Sequence, residues 1–273
     1  MSIRKIQTNF NVNVPTLDLK PLLRRLLFFT ILILLWEMVY RVNLVYEFRT
    51  ITFFPSPLGV IEQLYNGFFG SKILLYATLT SFQRIIVGFI VSVLFGSILG
   101  ILTGKWKLID ETLGSLITVL QTIPSIVWLP IALMMFQTSN IAIIFVVALG
   151  GTWAMALNTR MGIRNVDPLL IKAARVMGYE GFELISKVML KASVPYLITG
   201  TRLAWAFGWR ALMAAELLGT GGLGRTLMDA QDFFNFDLVI AIMVIISTTG
   251  LIVEHLIFKT LEEKVMTRWG LEI

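Results

Sequence analysis

Six long apolar runs organise this chain, each bounded by charged or turn-forming residues: Leu26–Tyr40, Arg84–Thr103, Leu113–Phe136, Ile141–Trp153, Tyr196–Leu218 and Leu238–Phe258. Several approach the ~20 residues an α-helix needs to cross ~30 Å of hydrocarbon. The pattern predicts an all-α integral membrane protein with about six transmembrane helices. Residues 1–25 read as a polar N-terminal tail, 26–258 as the membrane domain and 259–273 as a C-terminal tail. Arg24 and Arg25 before an apolar run resemble the start of a signal peptide. No small-residue cleavage site follows Tyr40, so the run reads as an uncleaved span, interrupted by Glu37. Val42–Leu75 reads as an external segment with a turn at Phe54-Pro55-Ser56-Pro57. Gly88, Gly96, Gly100 and Gly104 recur at multiples of four, so one helical face admits a neighbouring backbone closely. Pro124 and Pro130 each remove a helix hydrogen bond from the third run and invite kinks.

One polar stretch, Asp167 to Pro195, separates the fourth and fifth runs. Asp167 suits a helix N-cap, Pro168 the first turn and Gly178 a left-handed exit. These define a helix of about three turns, too short to span a bilayer. Its surface is expected to carry Ala173, Ala174, Lys172 and Arg175. A capped, small-residue helix at a membrane face is shaped to sit in another protein's groove, and the whole coupling segment is taken as residues 158–195.

Composition narrows the class. Of 273 residues 56% are hydrophobic and 15% charged, with mean hydropathy +0.80; soluble domains carry about 25% charged residues. The net charge of +6 has no accompanying basic stretch interleaved with polar aromatics, so nucleic acid is not the expected partner. Membrane lipid is. With no cysteine and a single histidine, His255, thiol chemistry and a histidine metal cluster are excluded. Arg4, Lys5, Lys20, Arg24 and Arg25 crowd the N-terminal region, and Arg160, Arg164, Lys172, Arg175, Lys187 and Lys191 the coupling segment. Of the two short opposite loops, Gly219–Asp237 has only Arg225 and Gln137–Asn140 has no cation. Positive charge marks the cytoplasmic side. Six spans then place both termini and the coupling segment there.

The spacing Lys172-Ala173-Ala174, three residues, Gly178, nine residues, Val188-Met189-Leu190 resembles the Glu-Ala-Ala…Gly…Ile-x-Leu-Pro pattern of permease subunits of ATP-binding-cassette importers. Lys172 stands where the pattern has an acid, Val188 replaces isoleucine and Lys191 replaces proline. Pro195 matches a second proline. Pro55-Ser56-Pro57, Gln121-Thr-Ile-Pro124-Ser125-Ile-Val-Trp128-Leu129-Pro130, Thr199-Gly200-Thr201-Arg202, Ala214-Ala215-Glu216 and Gly222-Leu223-Gly224 are similar to the nitrate/sulfonate/taurine/bicarbonate group of these permeases. The resemblance implies the type-I importer permease fold seen in methionine importers. It also implies two ATP-binding-cassette ATPase subunits, a second permease copy as a homodimer, an external solute-binding protein and a small-anion cargo in a plasma (inner) membrane. ATP and magnesium would belong to the partners. This chain would bind no cofactor and catalyse nothing, with Lys172, Ala173, Ala174, Arg175 and Gly178 forming the ATPase-docking helix.

Gly219-Thr-Gly221-Gly-Leu-Gly224-Arg225-Thr226 approaches a phosphate-binding loop, but such a loop follows a strand, and here a membrane helix precedes it. It reads as a turn between spans. Arg202, Trp209 and Glu216 recur every seven residues on one helical face. Arg202 and Glu216 are read as architectural charges that reach a membrane surface or pair with another span. Arg210, near mid-span, is expected to face the pore and attract an anion, because charge inside a span faces protein or a water-filled path. Trp205, Trp209, Pro124 and Trp128 join it as candidate path residues. Glu37 reads as an interfacial or inter-helix contact, and Glu254 with His255 is too sparse for a proton relay. An ion-gradient-driven secondary transporter is the alternative; it calls for inverted repeats and a midplane ion site, and no convincing repeat is visible. A membrane-embedded enzyme lacks the clustered catalytic groups it would need.

Overall fold

The computed structural model describes residues 19–46 and 54–269, and all regular elements among them are helices. Most of the expected N-terminal tail, part of the expected external segment and the last four residues of the expected C-terminal tail lie outside the described residues. The chain divides into two compact units, Met1–Pro57 and Leu58–Ile273.

The first unit is built on α1, Leu19–Tyr46. It starts inside the expected tail, because Pro21 falls in the first turn, where its missing N–H is no loss. Phe28, Leu34 and Met38 are all more than half exposed, as in a helix whose solvent is lipid. Glu37 is neutralised within the helix by Arg41 one turn on, Nε to Oε1 2.7 Å. Trp36 Nε1 donates to the Pro55 carbonyl at 3.1 Å, and Tyr40 stacks on Phe54.

In the second unit the helices are α2 (Pro57–Tyr65, extended by a wide turn at Asn66–Gly70), α3 (Ile73–Lys105), α4 (Lys107–Leu120), α5 (Ser125–Phe136) and α6 (Ser139–Arg164). They continue with α7 (Pro168–Val176), α8 (residues 181–192), α9 (Val194–Leu218), α10 (Gly222–Asp232) and α11 (Phe236–Arg268). The stretch expected to be external therefore contains helix α2, and α3 begins eleven residues before Arg84. Arg84 looks like a boundary in the sequence, but its side chain is buried and paired, so the helix runs through it. The third run is two helices bent by 94°. Pro124 stands at the bend; Pro130 lies in the first turn of the α-helical stretch Leu129–Phe136, where proline is tolerated. The last helix runs on past Phe258, through a wide turn at Val253–Lys259, into the expected tail.

The glycine stripe explains the central packing. Gly88 faces Val147, Gly96 faces Met155, Gly100 faces Thr159 and Gly104 faces Ile163, in every case 59 positions later in the chain (147 − 88, 163 − 104). A constant offset means that α3 and α6 run parallel and in register. A Cβ on Gly100 would sit 2.5 Å from the Ala156 carbonyl oxygen, so no side chain fits. At the one step where α3 has Ser92, α6 has Gly151, and the Ser92 hydroxyl donates to the Ala148 carbonyl at 2.8 Å. Because α3 and α6 are parallel, the α4–α5 pair between them returns the chain from one end to the other.

Helix α9 runs antiparallel to α6 along its length, from Gly162 against Ser193 and Tyr196 to Ile143 against Gly219. By length and apolarity four helices qualify as membrane spans, α1, α3, α6 and α11, or five with the bent pair. Helix α9 carries Arg202, Arg210 and Glu216 and is not among them. It lies alongside α6 all the same, and much of it faces protein: Ala204, Leu212, Ala215 and Glu216 are fully buried.

Candidate functional site

At one end of the second unit lies the short helix α7. Asp167 caps it by accepting the Leu169 N–H at 2.7 Å, Pro168 opens it, and Gly178 leaves it at φ +86° with open space around it. At nine residues it is nearer two and a half turns than three. Lys172, Ala173 and Arg175 are exposed, but Ala174 is not a surface residue. It is 5% exposed and packs against Ile163, Val166, Leu184, Ile185 and Met189. The buried alanine seats the helix on its base, while Leu169, Val176 (90% exposed), Met177 and Phe182 stand uncovered. Lys187 Nζ donates to Glu183 Oε1 at 2.6 Å, and that bond raises the lysine's pKa above its ordinary value, in a solvent-exposed pair of small energetic weight.

Beside it, Asp110 at the start of α4 engages two cations one helical turn apart on α6. Arg160 Nε lies 2.5 Å from Asp110 Oδ1, and Arg164 pairs with Oδ2. In the sequence both arginines register only as topogenic charge. Their i,i+4 spacing was the available signal; the distant lone acid was not readable as its partner.

Along α9 the unpartnered face carries Leu203, Phe207 and Arg210, all exposed. A cavity of about 400 Å³ is lined by Gln121, Pro124, Ser125, Trp153, Phe207 and Arg210, among others. A second, about 540 Å³, has Thr199, Arg202, Trp209, Arg210, Ser247 and Glu254 in its wall. Arg210 is the residue common to both. Its guanidinium lies 5.6 Å from the centre of the Phe207 ring and forms no ion pair with a carboxylate among the described residues.

The other candidate path residues divide. Pro124 borders the first cavity, in the bend that frees backbone from helical pairing. Trp205 and Trp209 border the second, but each is only 8% exposed. They stack on each other at 6.2 Å and 9°, flanked by Phe82, Phe89 and Phe258, so most of each ring fills the core. Trp128 packs against that core and borders neither cavity.

Arg202 is held by two acids of α11, Glu254 (Nε to Oε1, 2.6 Å) and Glu262 (Nη1 to Oε2, 2.5 Å). Glu216, at the other end of α9, is fully buried. Its Oε1 accepts from Arg84 Nη1 at 2.9 Å, and its Oε2 accepts from Ser81 Oγ at 2.7 Å and the Gly224 N–H at 3.1 Å. Arg84 also donates to Asn140 Oδ1 and to the carbonyls of Thr220 and Gly221. The glycine loop is thus gripped by side chains: its carbonyls by a guanidinium, its amides by a carboxylate and the Ser81 hydroxyl. The Gly224 amide, engaged by a buried carboxylate, and the Leu223 amide, engaged by Ser81, are not directed at phosphate, and a helix precedes the loop. Arg84 and Ser81 were missed because they sit more than 130 residues from Glu216 in sequence.

Residues 92–266 match the family of binding-protein-dependent transport system inner membrane components. The nitrate import permease protein NrtB of Leptolyngbya laminosa is 33% identical over 72% of this chain and 71% of its own length. The bicarbonate transport system permease protein CmpB of Synechococcus elongatus is 32% identical over 68% of each. A putative aliphatic sulfonates transport permease, SsuC of Bacillus subtilis, is 28% identical over 90% of this chain and 87% of its own. Among solved structures, an inward-facing MetNI methionine ABC transporter shares the fold, with a TM-score of 0.55 at 18% identity over 77% of this chain and 94% of that one. These matches do not favour a gradient-driven carrier. The parallel α3–α6 pair, the capped α7 and the two-helix third run belong to a type-I permease: the chain is a member of the binding-protein-dependent transport system inner membrane component family, a permease subunit of ATP-binding-cassette importers.

Proposed function

We propose that this permease forms the translocation path for a small anion, nitrate, bicarbonate or an organic sulfonate. Transport proceeds by alternating access, driven by two ATPase subunits, each gripping the α7 of one permease copy. The end bearing α7, both chain termini and the Asp110–Arg160–Arg164 cluster face the cytoplasm, in keeping with the concentration of lysine and arginine there. The end bearing α10 faces a solute-binding protein. A second copy of the chain supplies the other half of the path, since one α7 engages one ATPase of a pair. ATP and magnesium are bound by those partners.

The observation that carries the anion reading is Arg210. A guanidinium near the middle of a span, with an aromatic face beside it and cavities on either side, is an electrostatic well for a negative solute in a low-dielectric setting. The relatives named for nitrate, bicarbonate and sulfonate transport agree in charge. The test is uptake by the complete complex in proteoliposomes. Arg210→Ala is expected to lower anion uptake at least tenfold, and Arg210→Lys to retain more of it. Unchanged uptake and coupled ATP hydrolysis in both well-assembled variants would remove the anion role. Uptake driven by an ion gradient and indifferent to ATP would remove the importer reading.

A further inference from the structure

A turn at a membrane surface needs no buried charge, because water satisfies its carbonyls and amides. The turn between α9 and α10 is built otherwise. Arg84, 5% exposed, and Glu216, 0% exposed, form an ion pair inside the protein, and their remaining hydrogen-bonding capacity goes to the turn and to Ser81 and Asn140. The network ties together four helices drawn from three regions remote in sequence: α3 through Ser81 and Arg84, α6 through Asn140, and the consecutive α9 and α10 through Glu216 and through Leu223 and Gly224. The fit is close. Gly222 sits at φ +87°, and a Cβ there would lie 2.1 Å from the Glu216 carboxylate. Buried ion pairs add little net stability over an apolar contact; what such a pair supplies is one arrangement of the parts it joins.

We infer that Arg84 and Glu216 are a positioning pair that locks α10 to α3, α6 and α9, so that force applied to α10 from outside moves α9 and its Arg210 face as one body. This rests on the reading above that α10 lies on the side of the solute-binding protein. The surface to be pushed is polar and aromatic: Arg225 pairs with Asp229 along α10 at 2.7 Å, and Asp232 and Phe233 stand exposed at its end. With the pair broken, α10 would yield to the docking protein without carrying α9 with it.

The experiment uses the assembled complex in proteoliposomes, with its solute-binding protein loaded in turn with nitrate, bicarbonate or an alkanesulfonate. ATP hydrolysis is measured against binding-protein concentration, and amide exchange is followed at residues 220–224. Glu216→Gln keeps the shape and removes the charge. Basal hydrolysis is expected to stay within twofold of wild type, while maximal stimulation falls at least fivefold and the half-saturating concentration moves less than threefold. Exchange at 220–224 should accelerate at least tenfold. A purely structural role predicts fewer complexes that each respond normally, and that result overturns the inference. Should Glu216→Gln not assemble, Arg84→Lys, which keeps the charge but gives up the fork of donors reaching Glu216, Asn140 and the Thr220 and Gly221 carbonyls, carries the same readouts and decides in the same way. A wild-type complex that no loaded binding protein stimulates would instead defeat the importer reading, which separates the two failures.

Discussion

Glu216 and Arg84 show how a charge is kept inside a membrane protein. Each is almost wholly shielded from solvent and each is matched by the other at 2.9 Å, so removing either strands the survivor. Loss of one partner of a buried pair costs about 3–5 kcal/mol. Arg84→Ala and Glu216→Ala are therefore each expected to lower the thermal unfolding midpoint in detergent markedly. The double change Arg84→Met with Glu216→Leu should cost less than the sum of the two. Additive losses in that double-mutant cycle would show that the pair is not coupled. Part of this was legible in sequence: an acid at the end of a span must reach a surface or find a partner. The partner was not, because Arg84 has the look of a span boundary and hydropathy carries no information about pairing at long range. Arg202 followed the same course; its acids, Glu254 and Glu262, lie on α11, one of them beyond the last apolar run.

Periodicity is most readable where it reflects packing within one helix. The stripe Gly88 to Gly104 announces a close approach, and the Asp167-Pro168…Gly178 punctuation sets the limits of α7, because caps and left-handed exits are local chemistry. What the stripe meets is set by the rest of the molecule. Only the structure shows α6 lying parallel in constant register, and only the structure shows that Glu216 of α9 is turned into protein while Arg210 stands on its open face. Gly100→Leu would drive a side chain into Thr159 and the Ala156 carbonyl, neither of which can withdraw without unseating α6. Overpacking of this kind typically costs 1–3 kcal/mol; here it should separate α3 from α6 and reduce the yield of assembled complex, as read by size-exclusion chromatography. Gly100→Ala is expected to be milder, and an unaltered profile for the leucine variant would contradict the helix register. At α7, Gly178→Ala places a Cβ at φ +86° with space around it but with backbone strain, and should cost about 1 kcal/mol. It should impair coupling to the ATPases less than substitution of exposed Val176 by aspartate.

For the whole molecule the decisive property is sidedness, and the chain lends itself to measuring it because it has no cysteine to interfere. Phe233, 83% exposed after α10, and Val176, 90% exposed at the end of α7, mark opposite ends of the antiparallel α6–α9 pair. If lysine and arginine placement orients the protein as proposed, Phe233→Cys in intact cells reacts with a membrane-impermeant maleimide, whereas Val176→Cys reacts only after permeabilisation. Binding of the ATPase subunits should then shield Val176→Cys, because an exposed valine, methionine and phenylalanine beside two cations is a surface that a partner's groove would cover. Phe233→Cys should be indifferent to the ATPases and shielded by the solute-binding protein. Reversed labelling would invert the transporter and turn an importer's receptor face toward the cytoplasm. Labelling on the proposed sides without protection by the ATPases would leave the topology standing and remove α7 as the lever.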